Sequence, residues 1–275
     1  MQIIIEAPKG WQAINWRELW QYKDLFYFLI LRDVKSLYRQ TILGFLWAII
    51  RPVFSMVIFT VIFGNIARVA SDGVPYAVFS YVALVPWTYF ASSMSDSTNS
   101  LVGNSGMLTK VYFPRLVFPL APVFAKLIDF AIAFVIVAVL MLYFGITPTI
   151  YSLFLPYLIL LMLLTAAGIG MWLAALAVQY RDVKHAMTFI SQLLMYAAPV
   201  VWPVSALEER FGVTARWIYG LYPMAGVIEG FRSALLGTTP MPWDLIGVGT
   251  ISAIFILISG AFYFRRMEGV FADVA

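Results

Sequence analysis

The stretch RDVKSLYRQTILGFLWAIIRP, residues 32–52, changes within a few positions from charged and polar to almost entirely apolar. Its second half interrupts the apolar run only with Arg51, next to a proline. A chain that changes in this way passes from a membrane surface into a bilayer. The sequence therefore predicts an N-terminal segment, 1–41, outside the membrane and a single transmembrane domain, 42–275.

The composition indicates an integral membrane protein. Hydrophobic residues make up 62% of the 275 and charged residues only 12%, whereas soluble domains carry about 25% charged residues. The net charge of +4 is small, and we interpret its placement as a signal of membrane topology and not of nucleic-acid binding. Because the chain has no cysteine and a single histidine, His185, we predict no metal site.

Residues 16–39 have the pattern of an amphipathic helix. At 100° per residue most of the polar side chains fall within an arc of about 120°, opposite a side rich in Leu, Tyr and Trp. Beside a span, such a helix is predicted to lie in the membrane interface, and packing on a soluble partner is the alternative. The candidate residues of this interfacial helix are Arg32, Asp33, Lys35, Tyr38 and Arg39.

The remaining sequence predicts an all-α membrane protein with six spans, each near the about 20 residues that a bilayer requires. The predicted spans are 42–64, 75–94, 116–145, 150–178, 186–206 and 245–264. Between the last two, the apolar run 221–236 is too short and too polar to cross. We therefore predict short re-entrant helices that dip into the outer leaflet before the last span.

Positive charges orient these spans. With a cytoplasmic N-terminus, twelve Lys and Arg lie on the inner side and four on the outer side. Cytoplasmic segments carry the excess of Lys and Arg in membrane proteins. Both termini are therefore predicted to be cytoplasmic. The four outer residues are Arg68, Arg210, Arg216 and Arg232.

Motifs along nearly the whole chain resemble the membrane subunit of bacterial polysaccharide ABC exporters, the family that moves O-antigen, capsule and teichoic acid chains. Two positions depart from the family's pattern: Arg51, beside the proline of the first span, and Tyr222, where the family often has Asn before Pro. The motifs that carry the resemblance are RDVKSLYRQTILGFLWAIIRP (32–52), VPWTYF (85–90), NSGMLTKVYFPR (104–115), QYRDV (179–183), APVVWP (198–203) and YPMAGVIEGFRSALLG (222–237).

The resemblance implies a permease that forms a homodimer in the bacterial cytoplasmic (inner) membrane and assembles with two copies of a separate ABC ATPase subunit. The implied cargo is a lipid-linked polysaccharide, a long glycan or polyol-phosphate polymer on a polyprenyl diphosphate lipid. ATP and Mg²⁺ would be used by the partner, and this chain would bind no cofactor and have no catalytic residues. In agreement, it contains no Gly-x-x-x-x-Gly-Lys-Ser/Thr motif.

Two cytoplasmic loops are candidate contacts with the ATPase. The loop 95–115 is polar and interrupted by glycine, and it is longer than a simple turn needs. A short helix with an apolar knob would fit a groove on a motor subunit. The candidate residues of this coupling loop are Asn104, Ser105, Gly106, Met107, Leu108, Thr109 and Lys110. For the second loop, with Tyr180, Arg181 and Asp182, a solvated loop and an ATPase contact remain equally open.

Charged residues inside predicted spans need partners or water. Lys126 and Asp129 are three residues apart, which is ion-pair spacing on a helix. A structural pair or a lock between helices is favoured over a proton relay. Arg51 has no acidic neighbour along its helix, so it is predicted to extend towards the cytoplasm or to line a hydrated cavity.

Aromatic residues near the span ends could line a passage for sugars, whose C–H faces stack on rings, or could form the interfacial belt of any membrane protein. Glu229 and Arg232 could close an outer gate, although a surface ion pair worth under about 1 kcal/mol is favoured. The candidate passage or gate residues are Arg51, Trp87, Tyr89, Phe90, Tyr196, Trp202, Tyr222, Glu229 and Arg232.

Three other functions remain open. An ABC exporter of drugs or small lipids usually carries a larger outer domain, which the short loop after Arg68 does not supply. An ion-coupled flippase would need more intramembrane charges than Arg51, Lys126 and Asp129. A membrane glycosyltransferase would need carboxylates or histidines clustered on one face, whereas the acidic residues here are scattered.

Overall fold

The computed structural model describes residues 20–38, 44–104, 106, 113–269 and 271, and in these ranges all regular structure is helical. The predictions for Arg39, Ser105, Met107, Leu108, Thr109 and Lys110 lie outside the described residues. The α-helices of the described part are α1 (Lys23–Tyr38), α2 (Trp47–Phe59), α3 (Tyr76–Gly103), α4 (Val117–Tyr143), α5 (Leu155–Gln179), α6 (Asp182–Ala197), α7 (Val204–Tyr219), α8 (Pro223–Leu236) and α9 (Trp243–Met267).

Four helical segments of the described part are long and apolar enough to cross a membrane: Gly44–Ile66, Val117–Tyr143, Ile150–Gln179 and Trp243–Met267. The first contains α2 and continues as a π-helical segment, Thr60–Ile66. The predicted second and fifth spans correspond to α3 and α6. Helix α3 is long but rich in Ser, Thr and Tyr, and α6 has only 16 residues. The count of six spans therefore stays a prediction.

Helix α3 extends further than predicted. The stretch 95–103, which the sequence assigned to a loop, is helical and continues α3 to Gly103. Its polar residues face other parts of the protein, since Ser97, Thr98 and Ser100 are all buried. The Ser97 hydroxyl, for example, donates to the Pro119 carbonyl of α4. The Thr98 and Ser100 hydroxyls instead donate to carbonyls one turn earlier in α3. The buried polar groups of α3 are thus satisfied partly by a neighbouring helix and partly within α3 itself.

The predicted fifth span ends earlier than expected, because α6 stops at Ala197 and not at 206. Pro199 follows, and a proline disfavours the helical conformation of the residue before it. Ala198 accordingly has an extended backbone, with φ −79° and ψ 150°. A non-helical segment, 198–203, then leads into the outer helix α7.

The main core is built around α3, which packs most extensively against α4 and α5 and also contacts α8. Every residue of α8 is buried. A second apolar cluster, near the predicted cytoplasmic ends, joins Leu29 of α1 to α3, α4 and α9. The first span and α6 are little covered, with one buried residue each, Pro52 and Met187. Helix α8 is therefore part of the core. That it lies within the outer leaflet stays a prediction.

Helices α5 and α9 approach each other closely through glycine. A Cβ built on Gly260 would collide with the Gly168 carbonyl oxygen, and one built on Gly168 would lie 2.8 Å from the backbone of Leu257. Small residues at such contacts let two membrane helices pack backbone to backbone. Gly247, on the same helix α9, has no heavy atom within 4 Å of its built Cβ.

We expect Gly260→Ala to destabilise the protein by about 1–3 kcal/mol, because the added methyl group must force α5 and α9 apart. Gly247→Ala is the matched control and should be neutral or slightly stabilising, because alanine favours the helix. Thermal unfolding followed by tryptophan fluorescence in detergent compares the two variants. Equal unfolding midpoints would show that the close α5–α9 contact does not limit stability.

Candidate functional site

The predicted interfacial helix contacts the start of the predicted coupling loop. The Arg32 guanidinium donates from Nη1 to Oδ1 of Asn104 at 2.7 Å, and it also pairs with Asp33 at 2.8 Å. The Asn104 amide donates in turn to the Ser100 carbonyl at 2.6 Å, near the end of α3. Asn104 therefore ties α1 to the residue at which α3 gives way to the loop.

Apolar contacts hold α1 at the same place. Leu29 is completely buried, in one cluster with Leu101 and Phe118. Phe26 meets Phe124 of α4 edge-on, with ring centroids 5.4 Å apart. The helix is thus docked on the protein by its apolar side. Of its other candidate residues, Lys35 is exposed and Tyr38 ends the helix.

The far end of the same loop is held by the C-terminal end of α9. The Arg115 backbone amide donates to Oε1 of Glu268 at 3.3 Å, and its guanidinium donates to the Glu268 carbonyl oxygen. Arg265 donates to the other carboxylate oxygen of Glu268 at 2.9 Å. Sequence reasoning missed Glu268, because nothing in its local pattern connects it with a residue more than a hundred positions away.

Between these two anchors, Gly106 is exposed and has nothing within 4 Å of its built Cβ. In the second predicted loop, Tyr180, Arg181 and Asp182 are all exposed, and Asp182 lies in the first turn of α6, where a negative charge is favourable. No described residue forms an ion pair or hydrogen bond with the side chain of Arg181 or Asp182. Gly106 and residues 180–182 are thus accessible to a partner, and contact with an ATPase stays a prediction.

The predicted intramembrane ion pair is present, with a further acidic partner. Lys126 Nζ lies 3.4 Å from Asp129 Oδ2 and 3.2 Å from Asp96 Oδ2 of α3. Only 8% of Lys126 is exposed, so its charge needs a partner. The contact locks α3 to α4. Asp96 was missed because the sequence placed 95–103 in a loop.

Two cavities meet at Lys126. One, of about 260 Å³, lies between the first span, α3 and α4, and its wall includes Trp47, Arg51, Tyr89 and Asp129. The other, of about 200 Å³, lies between α1, α3 and α4 and reaches Arg32 and Asn104 on the predicted cytoplasmic side. Polar side chains thus line both cavities, one beside α1 and the other beside the first span.

Two of the candidate passage residues are buried inside the protomer. Trp87 and Phe90 are 4% and 0% exposed, with ring centroids 5.6 Å apart. The prediction that they line a passage is wrong for this structure, because α3 is covered on nearly all sides. Tyr89 is also buried, and its hydroxyl donates to the Val123 carbonyl at 2.8 Å, although its surface contributes to the larger cavity.

Three candidate passage aromatics lie at the outer end of α6. Tyr196 is exposed, and Trp202 lies against Tyr219 with ring centroids 5.6 Å apart. The Tyr222 hydroxyl donates to the Leu194 carbonyl at 3.3 Å. Trp202 and Tyr222 thus lie at the non-helical segment 198–203 and the end of α6, and the role of the three residues in a passage stays a prediction.

Glu229 and Arg232 form the predicted ion pair, but the pair is buried and does not lie at the surface, as had been favoured. Arg232 is 0% and Glu229 5% exposed, and Arg232 Nη1 lies 3.6 Å from Glu229 Oε2. The guanidinium also lies 3.6 Å from the centroid of the Phe79 ring, a close cation–π contact. Burial raises the pKa of the Glu229 carboxyl, and the nearby Arg232 charge opposes that shift.

This buried pair holds the backbone of segment 198–203. Arg232 donates to the Val200 carbonyl at 2.8 Å and to the Trp202 carbonyl at 3.4 Å. The Tyr76 hydroxyl donates to the Val201 carbonyl at 2.6 Å. Glu229 Oε1 accepts from the Val204 amide at 2.6 Å, at the start of α7. We call Tyr76, Glu229 and Arg232 the outer clamp.

A second polar contact fixes α7 to the start of α9. Arg216 pairs with Glu208 at 2.7 Å, and its Nη2 donates to Asp244 Oδ1 at 3.0 Å. The hydrogen bond to Asp244 is the largest cause that raises the pKa of Arg216. Sequence reasoning did not identify this bridge, since Asp244 comes from a separate helix.

We expect Glu229→Gln to destabilise the protein by about 3 kcal/mol, because it leaves the buried Arg232 charge without its carboxylate. Glu209→Gln, on the exposed part of α7, is the control and should change stability by less than about 0.5 kcal/mol. The thermal unfolding midpoints of the purified proteins measure both effects. A neutral Glu229→Gln would mean that the carboxylate does not stabilise the clamp.

Comparisons with known proteins agree with these features. A family model described as "ABC-2 type transporter" matches residues 24–236. The chain is 28% identical over 254 residues to an O-antigen export system permease protein, RfbA, of Myxococcus xanthus, covering 92% of this chain and 96% of that protein. A Klebsiella pneumoniae RfbA is 25% identical over 91% of this chain and 95% of its own length. A polysialic acid transport protein, KpsM, of Escherichia coli is 24% identical over 88% and 93%, respectively.

Proposed function

The chain belongs to the ABC-2 type transporter family, and on that premise we propose that it is the permease subunit of an ATP-driven exporter of lipid-linked polysaccharide in a bacterial inner membrane. The observation that carries the proposal is similarity along almost the full length to permeases whose names state O-antigen export and polysialic acid transport. ATP would be hydrolysed by a separate ABC ATPase, with Mg²⁺, and this chain would supply the path.

The proposed topology has six spans, with α3 and α6 added to the four apolar segments and with both termini in the cytoplasm. The distribution of Lys and Arg supports this orientation. Helix α3 is less apolar than a lipid-facing span, but its polar residues are buried against neighbouring helices. It can therefore cross the membrane without exposing them to lipid.

We propose that two copies pair through α6. This helix exposes Thr188, Gln192 and Tyr196 at helical spacing along one face. Polar side chains on a membrane helix usually face protein or water and not lipid. A second copy, with the passage between the two, would provide that environment for Tyr196 and, at the outer end, for Trp202 and Tyr222.

The coupling mechanism that we propose starts at the loop between Asn104 and Arg115. Closure of the ATPase would press on this loop, whose ends are attached to α1 through Arg32 and to the end of α9 through Glu268. A displacement of the loop would therefore reach both elements directly. Movement of α1 at the membrane interface would then open the passage.

Co-purification tests the function itself. We expect the chain, co-expressed with its candidate ABC ATPase and extracted in mild detergent, to purify as an assembly of two permeases and two ATPases with ATP hydrolysis. Replacing Met107 and Leu108 by Asp should abolish that assembly, because charged side chains cannot enter an apolar groove. A monodisperse permease without an ATPase, in detergent and in nanodiscs, would instead favour an ion-coupled flippase.

Asn104→Ala tests the coupling mechanism. The variant loses the 2.7 Å contact with Arg32, and a hydrogen bond to a charged group contributes about 1.5–3 kcal/mol. We expect normal assembly and ATP hydrolysis but about tenfold less polymer exported for each ATP hydrolysed, measured as surface polymer against ATPase activity of the purified complex.

Asn99→Ala is the matched control, because Asn99 likewise donates to a carbonyl four residues earlier, that of Ser95, at 2.9 Å, but forms no hydrogen bond with the described residues of α1. It should leave the export ratio unchanged. Equal effects of the two variants, or a full export ratio for Asn104→Ala, would contradict transmission through Arg32.

A further inference from the structure

Arg51 is an exposed cation within the first span. Its guanidinium lies 5.5 Å from the centroid of the Trp47 ring, and no carboxylate oxygen of the described residues lies within 4.0 Å of it. Lys126, at the same cavity, has two carboxylate partners. The described part of the protein thus supplies counter-anions for Lys126 but none for Arg51.

Arg51 lies in the cytoplasmic half of the first predicted span, 42–64. It is nine residues after the predicted start of that span, which at 1.5 Å per residue is about 13 Å along the helix. An arginine at that depth can extend its side chain towards the interface. The anion that a lipid leaflet offers there is the phosphate of a headgroup, which arginine binds through two parallel N–H donors.

The cavity beside Arg51 can receive the polar part of such a headgroup. It measures about 260 Å³, and its wall includes Thr88, Ser92 and Asp129. At the inner end of this cavity Lys126 is already paired with the carboxylates of Asp96 and Asp129, whereas Arg51 has no carboxylate of the described residues within 4.0 Å. A phosphate would therefore bind at the Arg51 mouth, while uncharged hydroxyl groups could extend inwards to the carboxylate of Asp129.

The acyl or prenyl chain also has a surface to follow. Phe54 and Ile58 are exposed, and their positions three and seven residues after Arg51 place all three on one face of the helix. A lipid whose phosphate meets Arg51 would then lay its apolar chain along Phe54 and Ile58 towards the bilayer centre. Arg51 and the exposed residues Phe54 and Ile58 thus follow one another along the helix in the same order as the phosphate and the apolar chain of a lipid.

We propose that Arg51, with Trp47 and the adjoining cavity, is a binding site for a phosphate- or diphosphate-bearing lipid of the cytoplasmic leaflet. The proposal rests on the proposed function only for the orientation of the chain. Two lipids share the required chemistry: an anionic phospholipid of the bilayer and the polyprenyl diphosphate that would carry the cargo. A headgroup bound here would lie beside Lys126, where the two cavities meet.

Lipid titration followed by native mass spectrometry tests the site on the full-length protein, together with its ATPase where the two purify as a complex. The probes are phosphatidylglycerol, a polyprenyl diphosphate and, as an uncharged reference, diacylglycerol. We expect Arg51→Gln to weaken binding of at least one phosphate lipid about tenfold or more, because the variant loses one charge-assisted contact with the phosphate. Arg51→Lys, which keeps the charge without the paired donors, should have a smaller effect.

Arg210→Gln is the matched control, because Arg210 is also exposed beside an aromatic ring, 5.8 Å from the centroid of Phe211, but lies in the outer helix α7. It should leave lipid binding unchanged. If Arg51→Gln selectively lost binding of the polyprenyl diphosphate, the ligand would be the cargo carrier. If it lost binding of phosphatidylglycerol, the ligand would be a lipid of the bilayer.

Equal binding by the wild-type protein and Arg51→Gln would overturn the site. The site would also be overturned if Arg51→Gln changed only the oligomeric state, because a second copy would then supply the counter-anion. Because Arg51→Gln should still assemble with the ATPase, failure of this proposal is distinguishable from failure of the proposed function, which would appear as loss of that assembly.

Discussion

Polar groups inside a membrane protein must find partners within the protein, and at the outer side of this chain a buried arginine meets that need. Between α6 and α7 the chain leaves the helical conformation, so its backbone carbonyls lose their helical partners. Arg232 binds two of these carbonyls and Tyr76 a third, while Glu229 accepts from the first amide of α7. Helix α8 must stay in the core beside α3 to deliver these groups, so the arrangement of the outer helices depends on the clamp.

The same requirement organises the opposite side of the protein. Where α3 ends, Asn104 is bound by Arg32, and where the chain resumes its path to α4, Arg115 is bound by Glu268. The loop between them is thus attached at both ends, to an interfacial helix and to the end of the last span. Lys126, held by two carboxylates from α3 and α4, joins this region to the membrane-crossing core. A motor that moves the loop would act on these attached elements together.

Sequence reasoning succeeded where a property is carried by neighbouring residues and failed where it depends on distant ones. The pair of Lys126 and Asp129 follows from their spacing on one helix, and it is confirmed. Asp96 was missed because the polar stretch 95–103 has the composition of a loop, yet it is a helix covered by its neighbours. Trp87 was a candidate passage residue because aromatic residues near span ends can line a passage or form the interfacial belt. Only the packing of the helices shows that this ring lies in the core.

The sequence by itself determined the class of the protein, its all-helical architecture, the approximate positions of its long apolar segments and the family that it resembles. These follow from hydropathy, helical periodicity and ordered motifs, all of which are properties of consecutive residues. Only the tertiary structure decided that Arg232 is a core residue, that Glu268 meets Arg115 and that two cavities meet at Lys126. Burial and ion pairing of this kind depend on which helices become neighbours, and in this fold those helices are far apart along the chain.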